Sequence, residues 1–151
     1  MIYNYKEIKE KYGSNYQVNK KISNREIYKI AEGIYSNKEL VNPLVIVCKK
    51  YPKAIITMES AFFYYNLTDV IPQTIHIATE MHSYVIPNYD ITQYYISNET
   101  IEIGKTSIKT DEGIINIYDK ERLLIELIKR RNQIAFDYYK EIINNYRNIS
   151  H

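Results

Sequence analysis

Residues 14–36, SNYQVNKKISNREIYKIAEGIYS, constrain the fold more than any other stretch of this 151-residue chain. Ser14 is a helix N-cap, and Gln17 stands three residues on, where its side chain can return a hydrogen bond to the cap backbone. The helix predicted over 15–22 exposes Asn15, Gln17, Asn19, Lys20 and Lys21, all able to bond or pair with an anionic polymer. Residues 25–30 and 33–35 then read as two strands about a tight turn, since Ile and Tyr suit the pleated state. A helix running straight into a basic hairpin is the arrangement of a winged helix-turn-helix. The helix would enter a major groove, and Arg25 and Lys29 on the hairpin would follow the phosphates.

Charge along the chain fits that reading. Residues 1–40 hold eight Lys/Arg against five Glu, a balance of +3, whereas residues 41–118 hold five basic and eight acidic side chains. Residues 119–151 return to +2. A basic amino-terminal module on a mildly acidic body is the footprint of a protein that meets nucleic acid. The 17 Tyr and absent Trp accompany an excess of Ile, Asn and Lys. All four types have A/T-rich codons, so the tyrosines follow from genome composition and not from binding.

The remaining pattern predicts an α+β chain. Ile2, Tyr5, Ile8 and Tyr12 recur at helical spacing, which gives a first helix over 4–12 that Gly13 ends. Asn42-Pro43 opens a third helix reaching 50. Residues 54–57 read as a strand, 58–67 as a helix, and 74–79 and 93–97 as further strands. The alternation over 101–118, broken at Gly104 and at 111–113, reads as a meander of hairpins. From Asp119 the period changes to 3.6, and Leu123, Leu124, Leu127 and Ile128 form a helix stripe before a last helix over 137–146. Two domains result: a short winged helix-turn-helix over 1–40, and over 41–151 an α+β domain with a mostly antiparallel sheet and C-terminal helices.

Little in the sequence points to catalysis. The four glycines all occupy turns, so there is no phosphate loop. Glu59-Ser60 lacks the glycines of a nucleophile elbow. His76, Glu80 and His82 are spaced like metal ligands, but His82 falls beyond the strand, and the trio reads as an exposed strand end. Cys48, the one cysteine, sits among apolar residues and reads as a buried thiol. No cofactor or metal is implied. The opening residues lack the apolar run of a signal peptide and no segment is long enough to span a bilayer, so a cytoplasmic protein without membrane contact is expected.

In order along the chain, IYKIAEGIYS (27–36), YPKAIITMESAFFYYNLTDVIP (51–72), the β meander and INIYDKERLLIELIKRR (115–131) resemble the AbiE-type antitoxins of type IV toxin–antitoxin systems. That family is non-enzymatic. The resemblance implies an amino-terminal winged helix that binds inverted repeats in the operon's own promoter. It also implies a carboxy-terminal domain that counteracts a nucleotidyltransferase-like toxin without a stable complex. It places Asn15, Gln17, Asn19, Lys20 and Lys21 on the groove-facing helix and Arg25 and Lys29 on the wing. Two other classes stay open: a winged helix that binds protein in place of DNA, and an enzyme of nucleotide chemistry.

Overall fold

A computed structural model describes residues 1–149. It shows an α+β chain that divides into two compact units, Met1–Ala54 with Ser107–Ile115, and Ile55–Thr106 with Asn116–His151.

The first unit begins with strand β1 (Ile2–Asn4), helices α1 (Tyr5–Tyr12) and α2 (Asn15–Ser23), and strands β2 (Tyr28–Ala31) and β3 (Ile34–Ser36). The strands form an antiparallel sheet in the order β1-β3-β2, with Tyr3 opposite Tyr35 and Lys29 opposite Tyr35 on the other side. β1 is a difference from the sequence reading, which gave Ile2 to the helical stripe. Three residues are too few for alternation to show, and it is β3 that makes this segment a strand. Asn4 ends it and caps α1. Its side chain accepts the Glu7 N–H at 2.8 Å, and the Glu7 carboxylate accepts the Asn4 N–H at 2.8 Å. Lys49 Nζ lies 2.7 Å from the same carboxylate. The Asn4 backbone bond first, and Lys49 second, hold Glu7 below the usual carboxylate range.

Ile8 from α1, Val18 from α2, Ile27 before β2 and Tyr35 from β3 form the buried cluster, with Tyr3, Tyr12 and Ile22 packed against it. Full burial of each such aliphatic side chain is worth about 1.5–3 kcal/mol. Helix α3 (Pro43–Lys50) completes the unit. It is capped by Asn42, whose side chain accepts the Leu44 N–H at 2.9 Å, and it buries Val45, Val47 and Cys48. The hairpin tip at 110–113 belongs here too. Glu112 accepts the Asn42 N–H at 2.7 Å, and a Cβ on Gly113 would lie 2.8 Å from Val45 Cγ1.

The second unit is built from β4 (Ile55–Ile56), α4 (Met58–Tyr64), β5 (Ile75–Glu80), β6 (Ile91–Ile96), α5 (Lys120–Lys129), a 3₁₀ turn (Arg131–Gln133) and α6 (Phe136–Ile149). The hairpin of β7 (Lys105–Lys109) and β8 (Ile114–Tyr118) extends its sheet, whose strand order is β6-β5-β4-β8-β7. This sheet is mixed, where the sequence predicted mostly antiparallel pairing. β5 and β6 run parallel through six residue pairs, β4 pairs parallel with β8, and β4 pairs antiparallel with β5. Alternation of side chains carries no direction. The ten-residue connection between β5 and β6 returns the chain to the start of the neighbouring strand, which a tight turn cannot do.

Residues 101–103, expected to be a strand, are turn. The Ile101 and Ile103 carbonyls serve side chains instead of a ladder. Arg122, on α5 and 7% exposed, places Nη1 2.6 Å from both Thr100 O and Ile103 O, while its Nε lies 3.1 Å from Glu126 Oε1. Its guanidinium also covers the Tyr118 ring at 4.4 Å. Tyr118 donates its hydroxyl to Ile101 O at 2.6 Å, and burial pushes that phenol up to about 12. Gly104 has φ +82°, and a Cβ there would meet Arg122 Cβ at 2.4 Å. Only glycine lets the turn lie so close to α5. Among the described residues no helix is long and apolar enough to cross a membrane.

Arg122→Ala is expected to lower unfolding free energy by about 3–5 kcal/mol, because it leaves two carbonyls unpaired and Glu126 with only its 3.5 Å contact to Arg130. Gly104→Ala is expected to lose about 2 kcal/mol or more from strain and overlap. Urea titration of both variants checks this; a loss below about 1 kcal/mol in either would contradict the account.

Candidate functional site

The face that the sequence proposed for DNA is built around α2. Ser14 caps the helix through its hydroxyl, which accepts the Gln17 N–H at 3.2 Å. Among the described residues the reciprocal bond from the Gln17 side chain does not form, and Gln17 is exposed. The helix ends in a Schellman motif. Arg25 takes φ +59°, its N–H bonds Ile22 O at 3.1 Å, and the Glu26 N–H bonds Lys21 O at 3.0 Å. Glycine usually holds that position, because a left-handed conformation costs other residues about 1–2 kcal/mol. The motif turns the chain sharply into β2 and leaves the Arg25 side chain in solvent.

Asn15, Gln17, Asn19, Lys20 and Arg25 are exposed, as is Lys29 on β2, whereas Lys21 is half-buried. Lys21 lies 3.3 Å from Glu26 and 5.6 Å from the Tyr12 ring centroid, and Lys29 lies 3.2 Å from Glu32. Among the described residues Lys20 and Arg25 take no carboxylate. At 100° per residue, the direction opposite buried Val18 and half-buried Ile22 is held by Lys20 and Tyr16, flanked by Ser23 and Asn24. Asn15 and Asn19 share one edge of the helix and Gln17 lies on the other. The outermost line of the helix therefore runs through Tyr16 and Lys20, with the amides at its margins. Tyr16 is 70% exposed and was missed in the sequence reading. The signal was present: the angular position of Val18 and Ile22 places it outward. The β2–β3 hairpin turns at Glu32-Gly33, where Gly33 has φ +73°.

A second cluster lies in the other unit. The sequence took His76 for an exposed strand end, but it is buried. β5 carries it between α4 and β6. Its Nε2 lies 3.3 Å from Glu59 Oε2, its Nδ1 lies 2.8 Å from Tyr94 Oη, and its backbone N–H donates to Ser60 Oγ at 2.8 Å. His82 instead sits in the following loop with φ +67°. Among the described residues no three side chains are grouped to hold a metal ion. Burial holds the His76 imidazole below its ordinary value, against the opposing pull of Glu59. In the neutral ring one arrangement satisfies both bonds: Nε2–H donates to Glu59, and the Tyr94 hydroxyl donates to Nδ1. Burial also raises the Tyr94 phenol, with Glu59 adding to the rise. Ser60, engaged with backbone, stands apart from this chain of bonds.

A folded-state value below the unfolded one means that the unfolded chain binds the proton first. The stability contributed by neutral His76 is therefore present above about pH 6.5 and is lost as pH falls below it. Wild type is expected to lose up to about 1.4 kcal/mol per pH unit more than His76→Gln in that range. Urea midpoints at about pH 7.5 and about pH 5.5 measure the difference, and equal losses would contradict it.

No known protein-family model and no curated protein matches this chain.

Proposed function

We propose that this chain is an AbiE-like antitoxin and autoregulator whose residues 1–40 bind double-stranded DNA at its own promoter through a winged helix-turn-helix. The observation that carries the reading is the order of elements in the first unit. Strand, two helices, strand and strand, with the first strand beside the last in the sheet, is how such modules arrange their helix pair and wing. Gly13 at φ +95° makes the tight corner between α1 and α2. α2 would lie in the major groove, with Tyr16 and Lys20 inward. Arg25 at its end and Lys29 on the wing would meet phosphates.

Electrostatics supports the reading in part. Lys20 and Arg25 offer free charge, while Lys21 and Lys29 are opposed by Glu26 and Glu32. Exposed ion pairs of this kind are worth about 0–1 kcal/mol, so a polyanion displaces the carboxylates at small cost. One observation favours the alternative of a protein-binding winged helix. Glu32 stands at the wing tip, where a DNA backbone would pass.

A mobility-shift titration across salt concentrations separates the two. Binding with a slope of log affinity against log salt of about −1.8 would count Lys20 and Arg25 alone, and about −3.6 would add Lys21 and Lys29. Lys20→Ala with Lys21→Ala should weaken all DNA, whereas Gln17→Ala or Asn19→Ala should mainly erode preference for the operator, by about 1–3 kcal/mol for each adenine pair lost. Arg25→Gly should raise thermal stability while weakening DNA binding, a combination that structural damage cannot produce. Absence of binding at low salt would sink the DNA reading and leave the protein-binding one.

The antitoxin half of the proposal rests on the resemblance over residues 51–131. Its counterpart test is co-expression of the neighbouring toxin gene with a Lys20→Ala, Lys21→Ala, Arg25→Ala variant. Growth with a derepressed promoter is expected, since neutralisation is assigned to the carboxy-terminal part. Death in the presence of abundant, folded variant would overturn that assignment.

A further inference from the structure

A cavity of about 300 Å³ opens in the second unit beside the His76 cluster. Its lining includes Glu59, Tyr94, Arg130, Gln133 and Tyr138, with apolar surface from Val70 and Ile134. That volume is at the small end of ligand pockets, about 300–1,000 Å³.

Two polar atoms on its lining residues, Arg130 Nε and the Tyr138 hydroxyl, are buried without a hydrogen-bond partner, Nε lying 3.5 Å from Glu126 Oε2. Buried polar groups are nearly always bonded, so each such atom asks for an explanation. The charges give one. Arg122 and Arg130 share the single carboxylate of Glu126, and Arg122 holds the shorter contact, 3.1 Å against 3.5 Å. One positive charge is left over, and it belongs to Arg130. Arg130 is also fixed in place, with its guanidinium 4.8 Å from the Tyr94 ring centroid. Glu59 is the converse case. Its partner His76 is held neutral by burial, so the carboxylate charge is not cancelled. Among the described residues Glu59 and Arg130 do not pair with each other.

The cavity thus has two halves. On one side Glu59 and the Tyr94 oxygen, whose proton is committed to His76, are acceptors. On the other stand Arg130, with its surplus positive charge, and Tyr138. Met58, at the cavity wall, has φ +44°. A non-glycine residue held there costs about 1–3 kcal/mol, and such strain gathers at ligand sites.

We propose that this cavity binds a small zwitterion carrying an ammonium and a carboxylate, the chemistry of a free amino acid. Glu59 and Tyr94 receive the ammonium, Arg130 and Tyr138 hold the carboxylate, and Val70 with Ile134 cover an apolar side chain. The proposal stands whether or not the first unit reads DNA.

The test is amide NMR of the full chain, titrated with each of the common free amino acids at about 1–10 mM, the range of weak small-ligand affinity. At least one apolar amino acid is expected to shift the amides of Glu59, Gln133 and Tyr138 in a saturable way. Its N-acetyl derivative, which lacks the ammonium, and its amide, which lacks the carboxylate, should each bind at least tenfold more weakly. Glu59→Gln and Tyr138→Phe, near-isosteric changes whose spectra report their own folding, should weaken the parent amino acid by a similar factor. The proposal is overturned if no free amino acid shifts these resonances. Equal binding of the blocked derivatives, or full binding by folded Glu59→Gln, overturns it too.

Discussion

The buried guanidinium of Arg122 organises the second unit. One side chain satisfies the carbonyls of Thr100 and Ile103, pairs with Glu126 and lies on the Tyr118 ring. An isolated charge at that depth would be prohibitive, and it is tolerated because Nε and Nη1 are bonded and the Tyr118 ring lies against the guanidinium. The turn before β7 and the ring of Tyr118 both meet this one group. Asp119 joins them, accepting the Arg122 N–H with its side chain and donating its own N–H to Gly104 O. The same pair also sets the charge on the next turn of the helix. Glu126 gives its better contact to Arg122, so Arg130 is left with surplus charge at the cavity.

Helices were the legible part of this chain. The N-caps Ser14 and Asn42 lie where side-chain chemistry placed them, because a cap is a local device readable within four residues. Strands were less so. β1 depends on β3, and the parallel pairing of β5 with β6 depends on a loop path that no periodicity encodes. Residues 101–103 alternate like a strand, yet the Ile103 carbonyl, with that of Thr100 before the run, is claimed by an arginine about twenty residues away.

The same limit applied to the candidate sites. Exposure of Asn15, Gln17, Asn19 and Lys20 followed from helical spacing, and so would that of Tyr16 have done. The pairing of Lys21 with Glu26 did not, since it needs the Schellman turn that folds Glu26 back over α2. His76 was misjudged for a related reason. Its partners Glu59 and Tyr94 stand 17 residues before it and 18 after it, and three elements must assemble before they meet.

The membership of residues 107–115 in the first unit has a temporal consequence. Residues 1–54 carry the caps, the three-stranded sheet and the Ile8 cluster, yet the unit closes only when Glu112 reaches the Asn42 amide and Gly113 settles against Val45. On a ribosome adding about 5–20 residues per second, that segment follows the end of α3 by several seconds. During that interval the amino-terminal helices exist as a nascent assembly with one side unfinished. The first unit is thus encoded at two separate times, and it is completed by a piece of chain made in the middle of the second.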